Sequence, residues 1–311
     1  MQDNARKLTF GAMMTAIFIV LCAVSVYVPL IGSVTMLFTP LPIMLYRLRY
    51  DRKASLLVTS AAMILSLIGG LLLLPVAFVF GVLGFVVGEA IAQKKTKLYT
   101  FMAAGTSFLI STMILYVVTM WVTGINFVET FTETLMKSQE TMIDYATKLG
   151  NMPKGFEEQL TDTLHMMFMI LPTAFILSTF IFGFLVIVVN LPVVKRLGHE
   201  VPTFPPFRKM KLPVLVVWVY LIIILMPLFG ELASGSMAEL IYMNGSFLLR
   251  FLFLLQGISF IQHIMYEMKA QKWLSVLLTI VALLMSPLTI IIGILDTGIN
   301  LRAWVGNDKS K

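Results

Sequence analysis

The residues of this chain best placed to do chemistry are ionisable side chains inside apolar runs. Arg250 is the deepest: in GSFLLRFLFLLQ it has apolar neighbours for several residues on both sides. A charge in hydrocarbon is costly enough to mark a functional position by default, and it needs a counter-charge. Glu231, Glu239 and Asp296 are the candidates. Glu239 lies about 16 Å from Arg250 along a straight helix, too far to pair within one span. Asp296 and Glu231 end other apolar runs and are the expected partners. Such a set either serves transport or fixes the packing of the last helices. Glu89, shortly before Lys94, Lys95 and Lys97, reads as an interfacial carboxylate paired with a lysine.

Hydrolytic or redox chemistry has little to stand on. His165, His199 and His263 are scattered, with none of the grouping of an HExxH zinc site. There is no GxSxG elbow and no GxxxxGKS phosphate loop. The chain is therefore not expected to be an enzyme or to hold a metal or cofactor, and an energised role needs a partner ATPase. The single cysteine, Cys22, lies in the first apolar run, so it forms no disulfide framework and reads as a packing residue.

The elements that position these residues follow from composition. Of 311 residues 59% are apolar and 13% charged, about half the charged share of a soluble protein. Mean hydropathy is +0.92, and apolar runs of about 20 residues recur. This predicts an all-helical integral membrane protein, with the lipid bilayer as its first partner. The net charge of +7 is broken into short clusters between the runs, without the basic stripe that nucleic acid requires. Nine spans are expected, over 8–28, 34–46, 54–71, 74–91, 98–122, 166–189, 213–229, 240–262 and 273–294. Clusters at Arg47–Lys53, Lys94–Lys97 and Lys195–Lys211 fall on the amino-terminal side of such a bundle, which makes that side cytoplasmic. An odd ninth span leaves Arg302 and the tail outside, against the same rule, unless one run is re-entrant. The acidic segment 124–165 then lies outside. Its helical spacing predicts a hairpin that caps the bundle or lies on the headgroups. Domain boundaries are expected at 1–192, a basic Pro-rich cytoplasmic loop over 193–212, and a three-span region over 213–311. That loop is suited to anionic lipid or a cytoplasmic partner.

Small residues in KLTFGAMMTAIFIVL (Lys7 to Leu21) suggest a close-packing face at Gly11, Ala12 and Ala16, against either an internal helix or a separate subunit. This stretch resembles the opening helix of the substrate-binding S components of energy-coupling-factor (ECF) vitamin transporters. Ala12 and Ala16 match the alanine pair that faces the coupling subunit there. Six spans and the row Gly81, Gly84, Gly88 are similar to that fold through about residue 190. Over the whole chain, the external hairpin and the ending GILDTGINLR (Gly293 to Arg302) resemble the YybS family of Firmicute membrane proteins. The S-component resemblance implies partner ECF coupling and ATPase subunits. It also implies a small ligand near the outer ends of the middle spans, at Thr39, Tyr116, Thr119, Trp121 and His165, although Tyr and Trp also populate membrane interfaces. The expectation is thus a bacterial cell-membrane protein that binds or transports a vitamin-like molecule. The alternative is a membrane scaffold or regulatory protein whose small residues pack internally.

Overall fold

A computed structural model describes residues 2–149, 155–230 and 232–306. In chain order it contains α1 (Gln2–Tyr27), α2 (Ile31–Phe38), α3 (Leu41–Arg49), α4 (Arg52–Leu65), α5 (Leu73–Ala92), α6 (Lys97–Thr123) and α7 (Phe127–Lys148). These are followed by α8 (Phe156–Arg196), α9 (Leu215–Leu225), α10 (Met237–Glu267), α11 (Lys272–Leu284), α12 (Ser286–Ile299) and α13 (Arg302–Gly306). No strand occurs among the described residues.

The chain forms two compact units, one of Met1–Met152 with Phe175–Thr203 and the other of Pro153–Ala174 with Phe204–Lys311. This differs from the expected break between residues 192 and 213. The second unit claims the amino-terminal part of α8 because Thr173 donates to Asn244 Oδ1 at 2.6 Å and His165 Nε2 lies 3.2 Å from Glu239 Oε1. Helix α8 runs unbroken through Pro172, so the second arm of the expected hairpin and the sixth span are one helix of 41 residues.

Among the described residues, seven segments are long and apolar enough to cross a membrane: Asn4–Tyr27, Ile31–Arg49, Arg52–Gly69, Leu73–Ala92, Lys97–Thr123, Phe156–Arg196 and Met237–Glu267. The expected count of nine is not reached, for two reasons. The 213–229 run forms only the short apolar helix Leu215–Leu228, about 21 Å against a hydrocarbon core of about 30 Å. The 273–294 run is broken at Met285, where α11 and α12 meet at 104°. Pro287 in the first turn of α12 has no amide to continue α11's ladder.

In the first unit α1 turns Gly11, Met14, Thr15, Phe18 and Cys22 inward, an i, i+3, i+4, i+7, i+11 stripe. Helix α5 packs against α3 through Gly84, where a Cβ would meet the Pro40 carbonyl oxygen at 2.6 Å. Gly88 lies against Met44 and Arg47 of α3, whereas Gly81 lies against Thr59 and Met63 of α4, so the glycine row is shared between the two contacts of α5. Thr39 and Pro40 break the second span into α2 and α3. The break frees backbone carbonyls, and the Leu37 oxygen accepts from Asn190 Nδ2 on α8 at 2.7 Å. Helix α7 starts at an Asn126 cap but buries none of its residues, so the expected capping contact is not made within this unit.

In the second unit α10 and α12 cross backbone to backbone. A Cβ at Gly257 would strike the Thr289 carbonyl, and one at Gly293 the Phe253 carbonyl. Thr289 Oγ1 spans the helix break by donating to Ala282 O at 2.7 Å. The 207–212 segment touches α10 and the residue after α12: Arg208 stacks 3.7 Å over Tyr266, in the last turn of α10, and Lys211 Nζ donates to Asn300 Oδ1 at 2.7 Å.

Candidate functional site

On α1 the expected small-residue face divides. Gly11 is buried, its missing side chain filled by Tyr46 and Val58, whereas Ala12 and Ala16 are exposed. The reason is the helical step: residue 11 falls on the stripe of 14, 15 and 18, and residues 12 and 16 on the stripe of 5 and 9. Ala5, Thr9, Ala12 and Ala16 are all exposed. A shallow depression lined by Ala5, Arg6, Thr9, Phe10, Met13, Arg49 and Tyr50 lies at the amino-terminal end of this stripe. Its walls are ordered: Arg49 lies 4.6 Å over the Phe10 ring, and Lys7 pairs with Asp51 at 3.1 Å. The Ala54 amide, then the Lys7 ammonium, holds the Asp51 carboxyl below the usual carboxylate range. Glu89 pairs with Arg47 rather than with the expected lysine, because the glycine face brings α3 directly against α5.

The charged core of the second unit differs from the sequence expectation. Asp296 is fully buried, and its Oδ2 accepts from Gln256 Nε2 at 2.5 Å and Arg302 Nε at 3.0 Å. Arg302 also donates to the Arg208 carbonyl at 2.8 Å and to Ser259 Oγ at 3.0 Å. Gln256 Oε1 accepts from the Leu212 amide at 3.1 Å. Asp296 Oδ1 has no partner and is buried. The counter-charge of Asp296 is thus Arg302, six residues along its own chain. The left-handed Asn300 ends α12 and turns the chain back toward the carboxylate. Arg250 is exposed on α10, without an ion pair or hydrogen bond among the described residues. Glu231 lies outside the described residues.

The residues expected to hold a ligand are not gathered by their own units. Thr39 is buried, its hydroxyl donating to Thr35 O at 3.2 Å and lying 3.3 Å from Ser25 Oγ. Tyr116 donates to Asn126 Oδ1 at 2.8 Å, Thr119 donates to its own helix at Leu115, and Trp121 is 85% exposed. His165 belongs to the second unit, beside Glu239, whose other oxygen accepts from the Gly235 amide at 2.7 Å. Sequence reasoning missed Asn190 and Gln256. Each is a lone amide inside an apolar run, and that isolation was the available signal. No group of three or more His, Cys, Asp or Glu that could hold a metal occurs among the described residues.

Apolar helices of membrane-crossing length, close glycine crossings and a buried carboxylate paired with an arginine of the same unit define a multi-span helical membrane protein. A family model described as "Predicted membrane protein (DUF2232)" matches residues 16–297, and the chain belongs to that family. It is similar to "Uncharacterized protein YybS" of Bacillus subtilis (strain 168), 29% identical over 306 residues that cover 96% of this chain and 98% of that protein. No solved structure matches the chain.

Proposed function

We propose that this chain is a small-molecule binding or transport component of the bacterial cytoplasmic membrane, without catalysis of its own, that docks a partner subunit along α1. The observation that carries the reading is the division of α1: Gly11, Met14 and Phe18 turn inward while Ala12 and Ala16 stay exposed. Small residues let helix backbones approach closely in lipid, where apolar burial gives little drive to associate. The adjoining depression at Phe10 and Arg49 gives a second helix somewhere to place its larger side chains. The partner required is an ECF-type coupling subunit with its ATPases, because the chain has no phosphate loop. In this reading the short α9 crosses, while α11 and α12 dip and return. Eight crossings then keep both chain ends and every basic cluster on the cytoplasmic side, as the distribution of Lys and Arg favours. The likeness of the first six spans to an S component belongs to the same proposal.

The scaffold reading draws on a different observation: the Thr39 hydroxyl is buried and satisfied and Trp121 points out of its unit, which leaves less polar surface for a ligand. One experiment separates the two. The tagged protein is isolated from its host in mild detergent beside a variant carrying Ala12→Leu and Ala16→Leu. Coupling and ATPase subunits recovered with the parent and lost from the variant are the expected result. Isolation of the parent without those subunits would sink the transport reading.

A further inference from the structure

We infer that the end of the second unit built from the 207–211 and 266–273 turns is a seat for anionic phospholipid headgroups. The two turns are far apart in sequence; one contact joins them directly, and two more tie the first turn to α10 and α13. Arg208 stacks on Tyr266 at 3.7 Å, Ser259 donates to the Phe207 carbonyl at 2.8 Å, and Arg302 donates to the Arg208 carbonyl at 2.8 Å. This brings Arg208, Lys209 and Lys211 to the same end as Lys269 and Lys272. The four lysines are exposed. Lys211 reaches Asn300, while the ammonium groups of Lys209, Lys269 and Lys272 have no ion pair or hydrogen bond among the described residues. Among the described residues two acids belong to the region: Asp296 is buried against Arg302, and Glu267 is half-buried with an interaction of its own. Cations therefore outnumber the acids that could neutralise them, and an anion relieves their mutual repulsion.

The chemistry of the surroundings selects the anion. Tyr266, Met268 and Trp273 are exposed beside the lysines, the pairing of aromatic rings with basic heads found at the level of lipid headgroups. Arg208 contributes a planar guanidinium already ordered by its stack on Tyr266, a geometry matched to phosphate. The second turn is fixed as well: Lys269 is left-handed at φ 52°, and the Ala270 amide donates to Met265 O at 2.9 Å. Basic residues after a span are ordinary in any membrane protein. The structure adds their convergence with a second, aromatic-flanked basic turn on one end of a unit. The inference is independent of the partner proposed for α1 and of which leaflet this end meets.

The test uses the full chain in mild detergent, titrated with phosphatidylglycerol or with phosphatidylcholine. Retained lipid is read by native mass spectrometry and the unfolding midpoint by a thermal melt. Phosphatidylglycerol is expected to be retained in preference and to raise the midpoint. A variant with Lys209→Gln, Lys211→Gln, Lys269→Gln and Lys272→Gln should lose that preference by roughly tenfold or more, with its lipid-free midpoint unchanged. Arg208→Lys keeps the charge, loses the planar stack, and should weaken retention by less. A milder pair, Lys209→Gln with Lys272→Gln, repeats the test should the fourfold variant fold poorly. Equal retention of both lipids by the parent, or undiminished preference in a folded variant, would overturn the inference. So would equal stabilisation by inorganic phosphate, which would assign the surface to soluble anions.

Discussion

Asp296 and Arg302 are more consequential than Arg250, the residue that the sequence makes most conspicuous. A buried carboxylate whose only charged partner is removed becomes an uncompensated charge, which costs about 3–5 kcal/mol. Arg302→Ala should therefore lower stability by about that amount in a detergent melt, and Asp296→Asn by less, because the amide keeps Gln256 as a neighbour. Arg250 has no partner among the described residues, so Arg250→Leu should leave stability within about 0.5 kcal/mol of the parent. A loss as large as that of Arg302→Ala would show that Arg250 holds the bundle together after all. At Asp51 the folded carboxyl lies below its ordinary range, so its capping contribution is present above a pH of about 4 and lost as pH falls through the folded value. Hydrogen exchange at the Ala54 amide, the group it caps, should accelerate on acidification, and Asp51→Asn should remove that pH dependence.

Helix pairing in both units depends on missing side chains more than on interlocking large ones. Gly293→Val would drive a branched side chain into the Phe253 carbonyl, backbone that cannot rotate away, and should separate α12 from α10. The cost should exceed the 1–3 kcal/mol typical of overpacking, read as a broadened, lowered melt. Gly84→Val should do the same to α3 and α5, where the obstacle is the Pro40 carbonyl. Gly124 is a useful control. It ends α6 in a left-handed conformation with open space around it, so Gly124→Asn should change stability by less than about 1 kcal/mol.

For the whole molecule the decisive question is where the chain ends. With α11 and α12 dipping and returning as proposed, cysteines placed at Lys209 and at Ala303 should label from the same side of sealed vesicles. Native Cys22 is buried and should stay silent. Labelling from opposite sides would restore a full crossing by the last run and leave the tail outside.

Membrane class, the all-helical state and most apolar runs were legible in the sequence, because the bilayer imposes length and hydrophobicity on each segment locally. The glycine row on α5 and Gly11 on α1 were legible as packing positions for the same reason, since a helix repeats every 3.6 residues wherever it sits. Which small residues pack inside was not. Gly11 and Ala12 are adjacent in sequence, and only the positions of Tyr46 and Val58 separate the buried one from the exposed one. The partner of Asp296 was hidden likewise. Its pairing with Arg302 depends on a left-handed Asn300, and the break at Met285 depends on a Pro287 that apolar composition does not register. Periodicity and hydropathy describe what one segment requires of its solvent. Pairing of charges, the angle of a break and the choice of contact face depend on what other segments supply, and those were decided by tertiary structure.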